Sequence, residues 1–150
     1  MTPHDIAKQC RDEHLKVDFL TTRLRDWAAV VPRTNLGAWI RETQDRFEHL
    51  RAHMIKHMAL EENEGYMASV IERRPTLTPE VDRLRHEHTE FLRIMDGIHR
   101  AVSELTPEDR LLIRDCCRRI DNLVHYIEHH EDDENLLVTF VFTHDIGTED

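Results

Sequence analysis

The chain has 150 residues, 39% of them apolar and 33% charged, which fits one globular domain with a buried core. Its net charge of −10 disfavours nucleic acid and anionic membranes as partners, and no run of about 18 apolar residues offers a membrane span. Four glycines and five prolines are too few for a turn-rich sandwich or barrel, whereas twelve histidines are several times an ordinary share.

The first stretch runs from about Thr2 to Val30 and carries an apolar stripe of Ile6, Cys10, Val17, Leu20, Leu24 and Trp27. Its start lacks a basic-then-apolar leader. The three cysteines, Cys10 and the vicinal Cys116-Cys117, form no disulfide framework, so a reducing cytoplasmic setting is expected. Cys10 and Cys116 fall on core stripes. The second stretch, from about Asn35 to Arg73, shows Ile40, Phe47, Leu50 and Met54. The third opens at Thr78-Pro79-Glu80 and shows Val81, Leu84, Phe91, Leu92, Met95, Ile98 and Val102. The fourth opens at Thr106-Pro107-Glu108-Asp109 and shows Leu112, Cys116, Ile120, Leu123 and Ile127, then Leu137 and Val141. Thr2, Thr78 and Thr106 each precede a proline, the N-cap and first-helical-position pattern. Four amphipathic helices with short connections predict an all-α fold, an antiparallel up-down-up-down four-helix bundle over 1–142, with 143–150 as a short polar tail. Trp39, Phe140 and Phe142 fit either core or interface.

Each stripe is interrupted by histidine. His14 sits between Cys10 and Val17, and His88 between Leu84 and Phe91; each follows a glutamate, Glu13 and Glu87. His57 follows Leu50 by seven and precedes Glu61 by four, as His130 follows Leu123 by seven and precedes Glu134 by four. His14 and His88 lie 74 positions apart; His57 and His130, and Glu61 and Glu134, lie 73 apart. The second half of the chain thus echoes the first. At about 100° per residue, His130 shares the face of Ile120, Leu123 and Ile127, whereas His129 and His125 turn away from it. His129 with Asp133 is therefore the wrong His-x-x-x-acid pair. The same test prefers His57 to His49 and His88 to His86. His99 is near the His88 face but three turns away, and His4 and His144 are near the ends. His53, only about 40° off the His57 face, stays a candidate ligand.

A lone histidine in an apolar stripe is ordinarily a hydrogen-bonded core residue. Four histidines converging with two glutamates are different, because burying two unpaired carboxylates costs several kcal/mol each. A pair of metal cations removes that cost by neutralising the carboxylates and taking the imidazole lone pairs. Imidazole and carboxylate without thiolate suit iron, manganese or zinc. His14, His57, Glu61, His88, His130 and Glu134 are the expected metal ligands, in an open dimetal centre that binds a small molecule.

These residues carry a family likeness. Glu13-His14, His57-Met58-Ala59-Leu60-Glu61-Glu62 with Gly65-Tyr66-Met67, Glu87-His88, and His130-Glu131-Asp132-Asp133-Glu134-Asn135 resemble the hemerythrin-like (HHE cation-binding) domains. The closing Asp145-Ile146-Gly147 resembles the end of a bacterial branch. The resemblance implies two iron ions, His14 and His57 on one, His88 and His130 on the other, bridged by Glu61, Glu134 and an oxo or hydroxo group. It departs from the oxygen-carrying members, which have a second histidine where this chain has Leu92 and a fourth-helix acid five residues after its histidine rather than four. The function this implies is binding of, or reaction with, a small oxidant (O2, NO or peroxide). A metal- or oxygen-responsive regulatory module, or iron storage and release, is the alternative. No Ser-His-Asp or Cys-His set is apparent, so any enzymatic turnover would be metal-centred. The residues point to no protein partner.

Overall fold

The computed structural model describes residues 2–143, and all regular structure among them is helical. Four long helices, α1 (Pro3–Ala28), α2 (Leu36–Asn63), α4 (Thr78–Ser103) and α5 (Arg110–Val138), form the expected bundle, with a short α3 (Tyr66–Arg73) across one end. α1 packs on α2 and α5, and α4 packs on the same two, so α1 and α4 face each other diagonally. None of the helices is long and apolar enough to cross a membrane. A wide π-type turn, Thr139–Thr143, follows α5 and packs on α1. Apart from Thr143, the tail expected over 143–150 lies outside the described residues, as do His144 and the Asp145-Ile146-Gly147 segment.

The start of α1 follows the sequence signal. Thr2 Oγ1 accepts from the Asp5 amide at 3.1 Å, and the Thr2 amide donates back to the Asp5 carboxylate at 3.0 Å. The other two Thr-Pro signals misplace the starts. Pro75–Leu77 forms a 3-10 turn, so Thr78 is already helical and its hydroxyl donates to the Pro75 carbonyl at 2.7 Å. Before α5, the Asp109 carboxylate takes both the Thr106 amide and its hydroxyl at 3.0 Å, which holds a turn and delays the helix to Arg110.

The single second stretch is also broken in two. Its apolar spacing continues through Tyr66, Met67 and Val70, but the chain turns at Glu64-Gly65. Gly65 lies so close to the end of α2 that a Cβ there would meet Glu61 Cα at 2.7 Å and the Leu60 carbonyl oxygen at 3.0 Å. Gly65→Ala is therefore expected to push α3 off α2, destabilising the fold by about 1–3 kcal/mol as an overpacked contact. A thermal melt reads this; an unchanged midpoint would mean the turn relaxes freely.

The apolar core is in two parts. One, from Val17, Leu24, Phe47, Leu50, Met95, Ile120 and Ile127 among others, fills the bundle toward the α1–α2 and α4–α5 connections. The other, from Ile6, Cys10, Tyr66, Met67, Val70, Leu84 and Phe142 among others, is closed over by α3 and the terminal turn. Trp39 and Phe142 are core residues, whereas Phe140 is exposed. Leu92 and Leu112, read as stripe residues, are 45% and 56% exposed, since they flank rather than centre their helical faces. Between the two apolar parts lies a polar layer.

Candidate metal centre

His14 of α1, His57 and Glu61 of α2, His88 of α4, and His130 and Glu134 of α5 form this layer, and all six are buried. Each lies on the inward stripe of its helix, so the same periodicity that builds the core delivers them to one depth. The two carboxylates sit at the centre. Glu61 Oε1 lies 3.1 Å from His57 Nε2 and 3.2 Å from His88 Nε2, and Glu61 Oε2 lies 3.7 Å from His14 Nε2. Glu134 Oε1 lies 3.2 Å from His14 Nε2 and 3.3 Å from His130 Nε2, and Glu134 Oε2 is 3.9 Å from His88 Nε2. Each glutamate therefore touches histidines from both halves of the chain.

The ligand-type atoms fall into two overlapping groups, each within 4.8 Å: His14, His57, Glu61 and Glu134, and Glu61, His88, His130 and Glu134. Both glutamates belong to both groups. Both oxygens of Glu61 and the Nε2 atoms of His88 and His130 are buried without a hydrogen bond, a costly state for protein alone. The electrostatics ask for positive charge. Burial alone would lower the proton affinity of His14 and His57, but contacts with Cys10, Glu134 and Glu61 (His14) and with Glu61 (His57) outweigh it and raise both. His130 opposes burial in the same way and is raised to about 9 by Glu134 and Glu87. Glu61, which burial alone would raise, is held well below the usual carboxylate range by His14, His57 and His88. Imidazole and carboxylate donors, several of them without a hydrogen bond, fit cations of the borderline class.

A family model for the hemerythrin HHE cation binding domain matches residues 5–141. The chain belongs to this family. No curated protein and no solved structure shows a significant match.

Behind the inner ring, this HHE domain has an outer one that repeats with the same offset. The residue before each first-type histidine faces the Nδ1 of the second-type histidine on the next helix: Glu13 to His57 at 3.5 Å, Glu87 to His130 at 2.7 Å. The residue after each glutamate faces the remaining Nδ1: Asn135 to His14 at 2.9 Å, Glu62 to His88 at 3.8 Å. An amide oxygen or a carboxylate can only accept, so Nδ1 of His14 and of His130 carries a hydrogen and Nε2 is left as the inward nitrogen that a cation could take in place of a proton. Tyr66, on α3, donates its hydroxyl to Glu134 Oε2 at 2.5 Å. Sequence reasoning quoted these residues as motif members without assigning them this work. For Glu13, Glu62, Glu87 and Asn135, a position one residue from an expected ligand, turned by about 100°, was the available signal; Tyr66 offered none.

Among the described residues, the remaining histidines stay outside both groups. His53 stacks on His57 with ring centres 6.4 Å apart but is only half-buried. His129 pairs with Asp133 on the surface, as its helical angle predicts. His125, His86 and His49 are exposed, and His99 pairs with Glu48. Cys10 is a core residue as read, yet its Sγ lies 3.7 Å from His14 Nε2.

Glu131 was missed. It follows Ile127 by four and so lies on the α5 stripe, buried, with Oε1 unpartnered. Burial and a hydrogen bond with Asp18 push its carboxyl up to about 9. The equivalent position in the first half, 73 residues earlier, holds buried Met58. Glu131→Met is expected to stabilise the domain by about 1–3 kcal/mol by removing an unpartnered buried polar group. A lower melting temperature would show instead that the Asp18 contact is net stabilising.

Proposed function

We propose that this HHE domain holds two metal ions, iron in the first instance, at which it binds or reacts with a small oxidant such as O2, NO or peroxide. His14 and His57 would hold one ion, His88 and His130 the other, with Glu61 and Glu134 shared between them. The observation that carries the reading is the overlap of the two four-residue groups at those two glutamates. Family membership supports cation binding, and the imidazole-carboxylate donor set suits iron as it does manganese or zinc.

When bound, iron supplies electrons and Lewis acidity to the oxidant. The chain's own residues do the rest. Asn135 and Glu87 fix the tautomers of His14 and His130 and so aim their Nε2 atoms. The apolar layers above and below exclude water and lower the local dielectric. Glu61 and Glu134 bring two negative charges inward, and Tyr66 orients the second of them by its hydroxyl.

The test is elemental analysis of protein purified without added metal, followed by spectra of the anaerobic ferrous form with O2, NO and hydrogen peroxide. About two irons per chain and a spectral response to an oxidant are expected. Two zincs that resist exchange for iron would turn the reading toward a structural centre. A chain that takes up no metal after ferrous reconstitution would overturn it.

A further inference from the structure

The end of the bundle away from the metal centre carries a cleft of about 510 Å³, between the α1–α2 connection and the first turns of α2 and α5. Seventeen residues of α5 separate Ile113 in this cleft from His130, about 25 Å along the helix. Its floor is apolar: Val31, Pro32, Leu36 and the buried Ile113. Its other lining residues are Arg33, Arg110 and Arg114, with no acidic residue among them. None of the three guanidinium groups has a hydrogen bond or ion pair with a described residue.

Acids are not scarce here. The chain has thirty, and Arg25, Arg46, Arg51, Arg83, Arg85, Arg100 and Arg119 all pair with one; among the described residues Arg11, Arg23, Arg41, Arg93 and Arg118 do not, so what sets the cleft apart is that three such side chains line one apolar surface. Arg110 and Arg114 stand one turn apart on α5, so two like charges face the cleft together, a mildly unfavourable arrangement without a counter-charge. α2 and α5 both begin at the cleft; α2 starts from Asn35 with no side-chain cap bond and no acidic residue in its first turn, whereas α5 starts from Asp109, whose carboxylate is bonded to Thr106. On a chain of net charge −10 this is a local reversal of sign over an apolar floor.

We propose that the cleft binds a small amphiphilic organic anion, a carboxylate or phosphate monoester. Its head is held by Arg33, Arg110 and Arg114, and its alkyl or aryl body lies on Val31, Leu36 and Ile113. The volume lies in the range of small-molecule sites. An inorganic anion leaves the floor uncovered, and a neutral amphiphile leaves the guanidinium groups unpaired.

The experiment is calorimetric titration of the metal-loaded full chain with octanoate and with octyl phosphate, using inorganic phosphate and octanol as controls. At least one octyl anion is expected to bind saturably, with both controls about tenfold weaker or more. The Arg110→Ala, Arg114→Ala variant is expected to lose about tenfold or more in affinity with its metal content and melting temperature unchanged. Both positions are exposed, so the fold tolerates the change. Arg33→Glu, in the connection rather than a helix, is the second variant and carries the same expectation. The proposal is overturned if octanol binds as well as octanoate, if the variants bind like the wild type, or if neither octyl anion binds at millimolar concentration. Association with anionic phospholipid vesicles without binding of either soluble octyl anion also overturns it, in favour of a surface contact. Metal content is read separately, so failure here is distinguishable from failure of the dimetal reading.

Discussion

Glu61→Ala with Glu134→Ala is expected to leave the domain without stoichiometric metal. Each glutamate belongs to both donor groups, so the double change removes two of four donors from each site at once. Two imidazoles per ion would remain, with no anionic ligand to offset the cation's loss of water. The single changes separate two roles. Glu61 faces His14, His57, His88 and Glu134 and, among the described residues, has no polar partner outside this inner ring. Glu134 also accepts the buried Tyr66 hydroxyl, so Glu134→Ala strands that donor at a further cost of about 1–3 kcal/mol to the fold. Elemental analysis with thermal melts on the two single variants and the double resolves this. Glu61→Ala should lower metal content with the smaller effect on the metal-free melt, and Glu134→Ala should lower both. Wild-type metal content in the double variant would sink the assigned ligand set.

The inner ring was legible in the sequence because a side chain that converges inside a bundle must occupy a core position on its helix. His14, His57, His88 and His130 stand where the 3.6-residue period demands apolar side chains, and the structure brings all four together with Glu61 and Glu134. The 73-to-74-residue offset carried the pairing of halves. What periodicity does not encode is the lateral relation of one helix to the next. Glu13, Glu62, Glu87 and Asn135 stand beside ligands in the chain, but which imidazole each faces depends on which helices are neighbours. The α2–α3 break was hidden for another reason. Gly65 is tolerated inside a helical pattern, and Tyr66, Met67 and Val70 keep an apolar spacing after it. Glu131 was visible on the stripe, yet the matching position in the other half is Met58, so the repeat directed attention elsewhere.

Metal-free protein is expected to lose stability as pH rises from about 6.5 to about 9, while metal-loaded protein does not. His130 is held up at about 9 in the fold, against about 6.5 for an unfolded histidine, because Glu134 and Glu87 together outweigh burial. A raised folded value stabilises below the unfolded value and is lost as pH climbs through the folded one. His130 alone is worth about 3 kcal/mol across that window, at 1.36 kcal/mol per unit. His14 and His57 are raised as well and act in the same direction. So does Glu131, whose neutral form burial and Asp18 favour up to about 9. Glu61 has the opposite sign, but its lowered value puts its contribution above the unfolded carboxylate value, and it is lost only in acid. Nothing among these shifts offsets the histidines between 6.5 and 9. Metal binding reverses the trend, because the cation replaces the protons on the inward nitrogens and competes better as protons become scarce. Melting curves of chelated and loaded protein at the two pH values should therefore diverge. The chelated midpoint is expected to fall by about 6–12 °C from His130 alone, at 2–4 °C per kcal/mol, with the loaded midpoint level or higher. A chelated midpoint that stays level would mean that His14, His57 and His130 remain neutral among their carboxylates. The charge deficit that makes this layer a cation site would then be absent.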